Sequence, residues 1–179
     1  MKNNDLKNHR HIATFVHLLS FGKWIFPLGN FVLPIILWTV NSKKSEFIDF
    51  NGKEVINFQL SITLYTVILA LVGGGVIMGT MISGGPLFWE SLDDGTFLFS
   101  EDAGIFSTIM ASGLICGTAI LILTILDVVC TIKAAVHANE GKEYYYPITI
   151  RFISHDDIAP ASDESDSYYK EESTKNESI

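Results

Sequence analysis

The chain is poor in the residues that brace small secreted domains and in those that grip nucleic acid. Its 179 residues include two cysteines, Cys116 and Cys130, too few for a disulfide framework or, by themselves, for a structural zinc site. Both lie in one apolar stretch, about 21 Å apart along a helix, so they cannot bond within it and are most simply small apolar fillers. Charged residues make up only 18%, and twelve Lys and Arg face twenty Asp and Glu. A net charge of −8 excludes the basic footprint of a nucleic-acid partner. No phosphate loop, nucleophile elbow, metalloprotease histidine pair or paired-cysteine motif occurs, so the sequence offers no catalytic or cofactor-binding residues. The acidic stretch Asp93-Asp94-Gly95 to Glu101-Asp102 lacks the alternating ligands of a calcium loop.

What the chain does have is long apolar runs. One extends from Ile12 to Val40, a second from Val55 to Ile82, and a third from Ala103 to Val136. A helix needs about 20 residues to span hydrocarbon, so the second and third each suffice for one crossing. The first is roughly 43 Å long as one helix and would hold Lys23 and Asn30 near mid-membrane, where charge is costly. Splitting it at Gly22-Lys23 yields two short segments.

The loop charges choose between these. Lys2, Lys7 and Arg10 precede the first run, Lys43, Lys44 and Lys53 follow it, and Lys133, Lys142 and Arg151 follow the third. The stretch from Ser83 to Asp102 is acidic and has no Lys or Arg. The positive-inside rule then puts the acidic loop outside and both flanks of Ile12–Val40 in the cytoplasm. That run must enter and leave on one side, as two short spans or a re-entrant hairpin with Lys23 near its turn. The expected fold is an all-α, multi-pass transmembrane bundle with four segments, about 12–22, 24–40, 55–82 and 103–136. Residues 1–11 form a cytoplasmic lead-in, and 154–179 an acidic, disordered tail. From Arg151 on, eight acids against three bases carry five of the eight net negative charges. A cleaved signal peptide is the competing explanation of residues 1–22, but the apolar run resuming at Trp24 leaves no polar start to a mature chain.

Small residues recur every four positions at Gly75, Gly79 and Ser83, and at Gly113 and Gly117. Such stripes let backbones approach, either between the chain's own helices or in self-association. Gly73-Gly74-Gly75 marks a candidate bend. Pro27 and Pro34, seven residues apart with Gly29 and Asn30 between them, predict a kinked element with freed backbone groups. His17 with Thr14 and Ser20 forms one polar stripe, Asn57 with Ser61 another, both expected to face protein rather than lipid. Asp127 is the only acid well inside an apolar run; it reads as partly solvated near the cytoplasmic end, or as a proton or cation site. Lys23 is expected to lie at the opposite depth. His17, Asn30, Asn57 and Asp127 are thus the candidates for a polar path. Asn51-Gly52-Lys53-Glu54 reads as a capped helix start. Trp89, Phe97 and Phe99 are candidate anchors at one interface, and Tyr144-Tyr145-Tyr146 at the other, followed by a short extended stretch over residues 148–152.

Several of these signposts recur together in a known arrangement. His17-Leu-Leu-Ser, Phe26-Pro-Leu-Gly-Asn and Leu33-Pro-Ile-Ile-Leu-Trp38 are followed by Phe47-Ile-Asp-Phe-Asn-Gly-Lys-Glu-Val-Ile-Asn-Phe-Gln59. Ile132-Lys-Ala-Ala and Asn139-Glu-Gly-Lys-Glu-Tyr-Tyr-Tyr-Pro-Ile-Thr-Ile-Arg-Phe152 close the pattern. Over roughly residues 9–82 and 120–153 the chain resembles the small bacterial membrane proteins of the MamF/MmsF type, which are Tic-twenty-like. The acidic loop and the tail depart from that pattern. The resemblance implies an all-helical domain in the bacterial inner membrane, with no catalytic residues and an undefined role. Partners would be membrane lipids and either a second copy or another membrane protein. Asn30, Pro34, Trp38, Asn57 and Pro147 would place bends and interfaces.

Overall fold

The computed structural model describes residues 2–93 and 103–154. The anchors expected at Phe97 and Phe99, and the tail from residue 155, lie outside these residues. Four helices follow in order: α1 (Lys2–Leu18), α2 (Gly29–Asn41), α3 (Glu46–Asp93) and α4 (Ala103–Glu140). Short 3-10 turns at Leu19–Trp24 and Ser42–Lys44 join the first three. Past α4 the chain is non-helical through residue 154, and there is no strand among the described residues.

α1, α3 and α4 are longer than the segments predicted for them, whereas α2 is shorter than 24–40 because residues 24–28 belong to the connection. α1 takes in the polar lead-in, with Arg10 packed where a Cβ on Gly141 would stand 2.6 Å from its Nε. α3 begins at Glu46 rather than at Asn51, because Ser45 is extended (φ −165, ψ 132) and its carbonyl accepts from the amides of Ile48 and Asp49. Asn51 lies inside the helix, with its side chain engaged in tertiary contacts in place of the expected cap. Gly73–Gly75 do not interrupt α3.

Two stretches, Glu46–Gly84 and Gly104–Glu140, are long and apolar enough to cross a membrane. With 48 and 38 residues, α3 and α4 extend about 72 and 57 Å, well beyond the roughly 30 Å of hydrocarbon. α1 and α2 flank only the start of α3 and the end of α4, forming a four-helix base from which the α3–α4 hairpin projects. The base core is Val16, Val55, Phe58, Ile62, Cys130, Ala134 and Tyr146. The α1–α2 connection returns the chain to the end from which it came, with Lys23 in the turn as expected.

The proline element differs from expectation. Pro27 lies in the connection and Pro34 inside α2, so they do not share one helix. The bend is made by Leu28, left-handed at φ 64, and by a close backbone approach of Gly22 to Gly29. A Cβ on Gly22 would stand 2.9 Å from the Gly29 carbonyl oxygen, and one on Gly29 would overlap Gly22.

Candidate functional site

The base holds three polar clusters. The first is built on Asp127, which α4 presents to the bundle interior at 1% side-chain exposure. One carboxylate oxygen accepts from the Lys23 ammonium. The other accepts from Gln59 Nε2 at 2.8 Å and from Thr131 Oγ1 at 3.4 Å. Gln59 Oε1 in turn accepts from Asn30 Nδ2 at 3.0 Å. One connected network therefore ties the α1–α2 turn, α2, α3 and α4 together. Asp127 is neither partly solvated nor at the opposite depth from Lys23, because the α1–α2 hairpin carries Lys23 up to its level. The Lys23 side chain keeps about a quarter of its surface exposed, and its ammonium lies 5.9 Å from the Trp24 ring centre. A cleft of about 360 Å³ opens beside the network, lined also by Thr63, Thr66 and Thr124.

The second cluster is centred on His17, which is fully buried. Its Nε2 is 2.8 Å from Asn51 Oδ1 and its Nδ1 2.9 Å from the Tyr146 hydroxyl. Asn51 Nδ2 donates to the Phe47 carbonyl, so its Oδ1 must accept and His17 carries a proton on Nε2. In the neutral ring Nδ1 then accepts from Tyr146. Burial pushes the Tyr146 phenol well above the ordinary tyrosine range, which keeps it a donor. Its ring stacks on Phe58 at 4.1 Å, so Tyr146 belongs to the core, and only Tyr145 of the three tyrosines stands mainly outward. Thr14 and Ser20 do not share this cluster; each bonds a carbonyl of its own chain segment.

The third cluster fixes the C-terminal segment. Asn57 Oδ1 accepts from the amides of Phe152 and Ile153, and its Nδ2 donates to the Ile153 carbonyl at 2.9 Å. Ser61 Oγ accepts from the Ile150 amide at 2.8 Å, and the Tyr65 hydroxyl donates to the Ile148 carbonyl at 2.8 Å. Glu54 accepts from the Tyr146 amide. The Asn57–Ser61 stripe faces protein, and the protein is an irregular segment rather than a helix or the expected extended stretch.

Of the four polar-path candidates, Asn30 and Asp127 share a network through Gln59, while His17 and Asn57 serve separate clusters. Gln59 escaped the sequence reading, although a lone amide between Phe58 and Leu60 in an apolar run was its signal. Trp38 and Asp49 were missed as a pair; the indole donates to the carboxylate at 2.9 Å, and Lys53 closes on the other oxygen at 3.0 Å. Among the described residues, a Cβ added at Gly75, Gly79, Gly113 or Gly117 would meet nothing within 4 Å beyond its own turn of helix. The close α3–α4 approach is at Gly73, where a Cβ would meet Cys116 Sγ at 2.7 Å. Among the described residues, no three of His, Cys, Asp or Glu gather as a metal-holding group.

No curated protein and no solved structure matches this chain. A family profile does, over residues 8–153, from the end of the basic lead-in to the last residue that Asn57 holds. By that match, which covers most of the base and all of the hairpin, the chain belongs to the MamF/MmsF family, described as the magnetosome magnetite crystal formation protein family.

Proposed function

We propose that this is a non-catalytic membrane protein that works by packing, organising a patch of membrane or serving as an accessory subunit to another membrane protein. The supporting observation is the division between polar and apolar surface. Among the described residues every buried side-chain nitrogen and oxygen has a hydrogen-bond partner, so the polar groups of the base are spent on internal joints. The hairpin beyond the base instead exposes Leu71, Met78, Ile82, Leu114 and Ile115, which need lipid or another helix to cover them. The family description concerns magnetite crystals in magnetosomes, and for this chain we read it as a role in the membrane bounding such a compartment. By the charge bias of the loops, the base faces the cytoplasm, with both chain ends on that side.

Purification of the tagged protein in mild detergent, with mass and composition of what accompanies it, tests this. A reproducible partner or a homo-oligomer, lost on changing Gly75→Leu or Gly113→Leu, is the expected result. A bare monomer, or assembly unchanged in both variants, overturns it. The cleft beside Lys23 and Asp127 supports a second reading, a small channel or transporter component. Ion flux in proteoliposomes that disappears in Asp127→Asn would favour it, and absence of flux removes it.

A further inference from the structure

The segment after α4 poses a solvation problem. From Tyr146 it rises to a turn at Pro147-Ile148, where Ile148 is left-handed (φ 54), then runs back beside α3 from Tyr65 to Asn57. Its apolar side chains stand outward: Ile148, Ile150 and Phe152 are 49%, 40% and 51% exposed, with Pro147 and Arg151 exposed beside them. In water such a segment needs no help with its backbone. Here α3 supplies Tyr65, Ser61 and Asn57, one helical face with side chains that meet the segment's amides and carbonyls.

Neighbouring elements fix the surroundings at that level. The outward face of α2 stays apolar and exposed through Ile36 to Val40, ending just before Lys43 and Lys44. α4 likewise exposes Ile132 and Val136, with the exposed Lys133 between them. Asn57 lies 11 residues above the start of α3, which adjoins the α2 end, so the segment sits about 16 Å above the level where those apolar faces stop. Arg151, the one charge in the stretch, lies over the Tyr145 ring at 5.6 Å, a long side chain turned back toward the base.

We infer that residues 147–153 are a non-helical element lying in the bilayer, with Ile148, Ile150 and Phe152 against acyl chains and with Asn57, Ser61 and Tyr65 bonding the Ile148 and Ile153 carbonyls and the amides of Ile150, Phe152 and Ile153. Irregular backbone at membrane depth relies on protein to satisfy its polar groups, and the α3 stripe does so for these five. The occupant of this apolar face is bilayer hydrocarbon, continuous with the exposed faces of α2 and α4. The inference rests on the membrane reading of α3 and α4 and extends it to a segment that no helix-based span test would find.

Nitroxide labels test it on the full chain in phosphatidylethanolamine–phosphatidylglycerol vesicles, in a Cys116→Ala, Cys130→Ala background. Sites are Ile148→Cys, Ile150→Cys and Phe152→Cys, with Leu71→Cys on the hairpin as lipid control and Lys142→Cys as water control. Relaxation by oxygen is compared with relaxation by a water-soluble nickel chelate. The expected result is an oxygen-to-nickel ratio at the three sites several-fold above that at Lys142→Cys and near that at Leu71→Cys. Ratios at the Lys142→Cys level, with Leu71→Cys high, overturn the inference while leaving the membrane reading intact. A low ratio at Leu71→Cys sinks that reading itself. Adding Asn57→Ala should shift Phe152→Cys toward the nickel chelate, and an unchanged ratio removes Asn57 from the account.

Discussion

Lys23 and Asp127 stand 104 residues apart in sequence and form an ion pair inside the base, with Gln59 and Thr131 completing the carboxylate's shell. A carboxylate taken out of water needs a counter-charge and hydrogen bonds to be stable, and this one has both. The pair is the fastening between the α1–α2 turn and α4.

Removing one partner is therefore worse than removing both. Asp127→Leu leaves the Lys23 ammonium facing an apolar wall and should destabilise the base by about 2–4 kcal/mol. Lys23→Met combined with Asp127→Leu should recover at least half of that. Thermal unfolding of the three variants in one detergent checks the order.

Tyr146 contributes through both its ring and its hydroxyl. Tyr146→Phe keeps the stack on Phe58 and loses the bond to His17, a cost of about 1 kcal/mol. Tyr146→Ala also opens a cavity, at about 3–5 kcal/mol. Denaturant titrations should separate the two.

The same phenol sets an alkaline limit. Its pKa is raised in the fold, so the protonated form is favoured there. That stabilisation is complete below the unfolded value of about 10 and is lost as pH rises from there toward the folded value. Stability should fall above about pH 10 in the parent and fall less in Tyr146→Phe. Identical alkaline profiles would contradict this.

The glycines divide into two classes. Gly29→Ala and Gly52→Ala place a methyl on the Gly22 backbone and on the Trp38 ring, and should cost about 2 kcal/mol or more. Gly75→Ala and Gly117→Ala meet nothing among the described residues beyond their own helix and should be neutral or gain up to about 1 kcal/mol of helix propensity. Melting of the monomer in detergent reads the difference.

Much of this architecture is written locally. The long runs Val55–Ile82 and Ala103–Val136, the charge contrast of their flanks and the break at Gly22-Lys23 each act over one or two turns of chain. They suffice for two long apolar helices, a returning hairpin and a turn at Lys23. The sites had no such local signature. Asp127 with Lys23, His17 with Tyr146 and Asn57 with Ile153 join residues 104, 129 and 96 positions apart. A lone polar residue in an apolar run shows that a partner must exist, since an unsatisfied group there is costly, but not which one. That depends on how far the α1–α2 hairpin rises along α3 and on where the chain turns back after α4. Both are settled by packing around Phe58 and Tyr146, a long-range matter of shape that no run of neighbouring residues encodes.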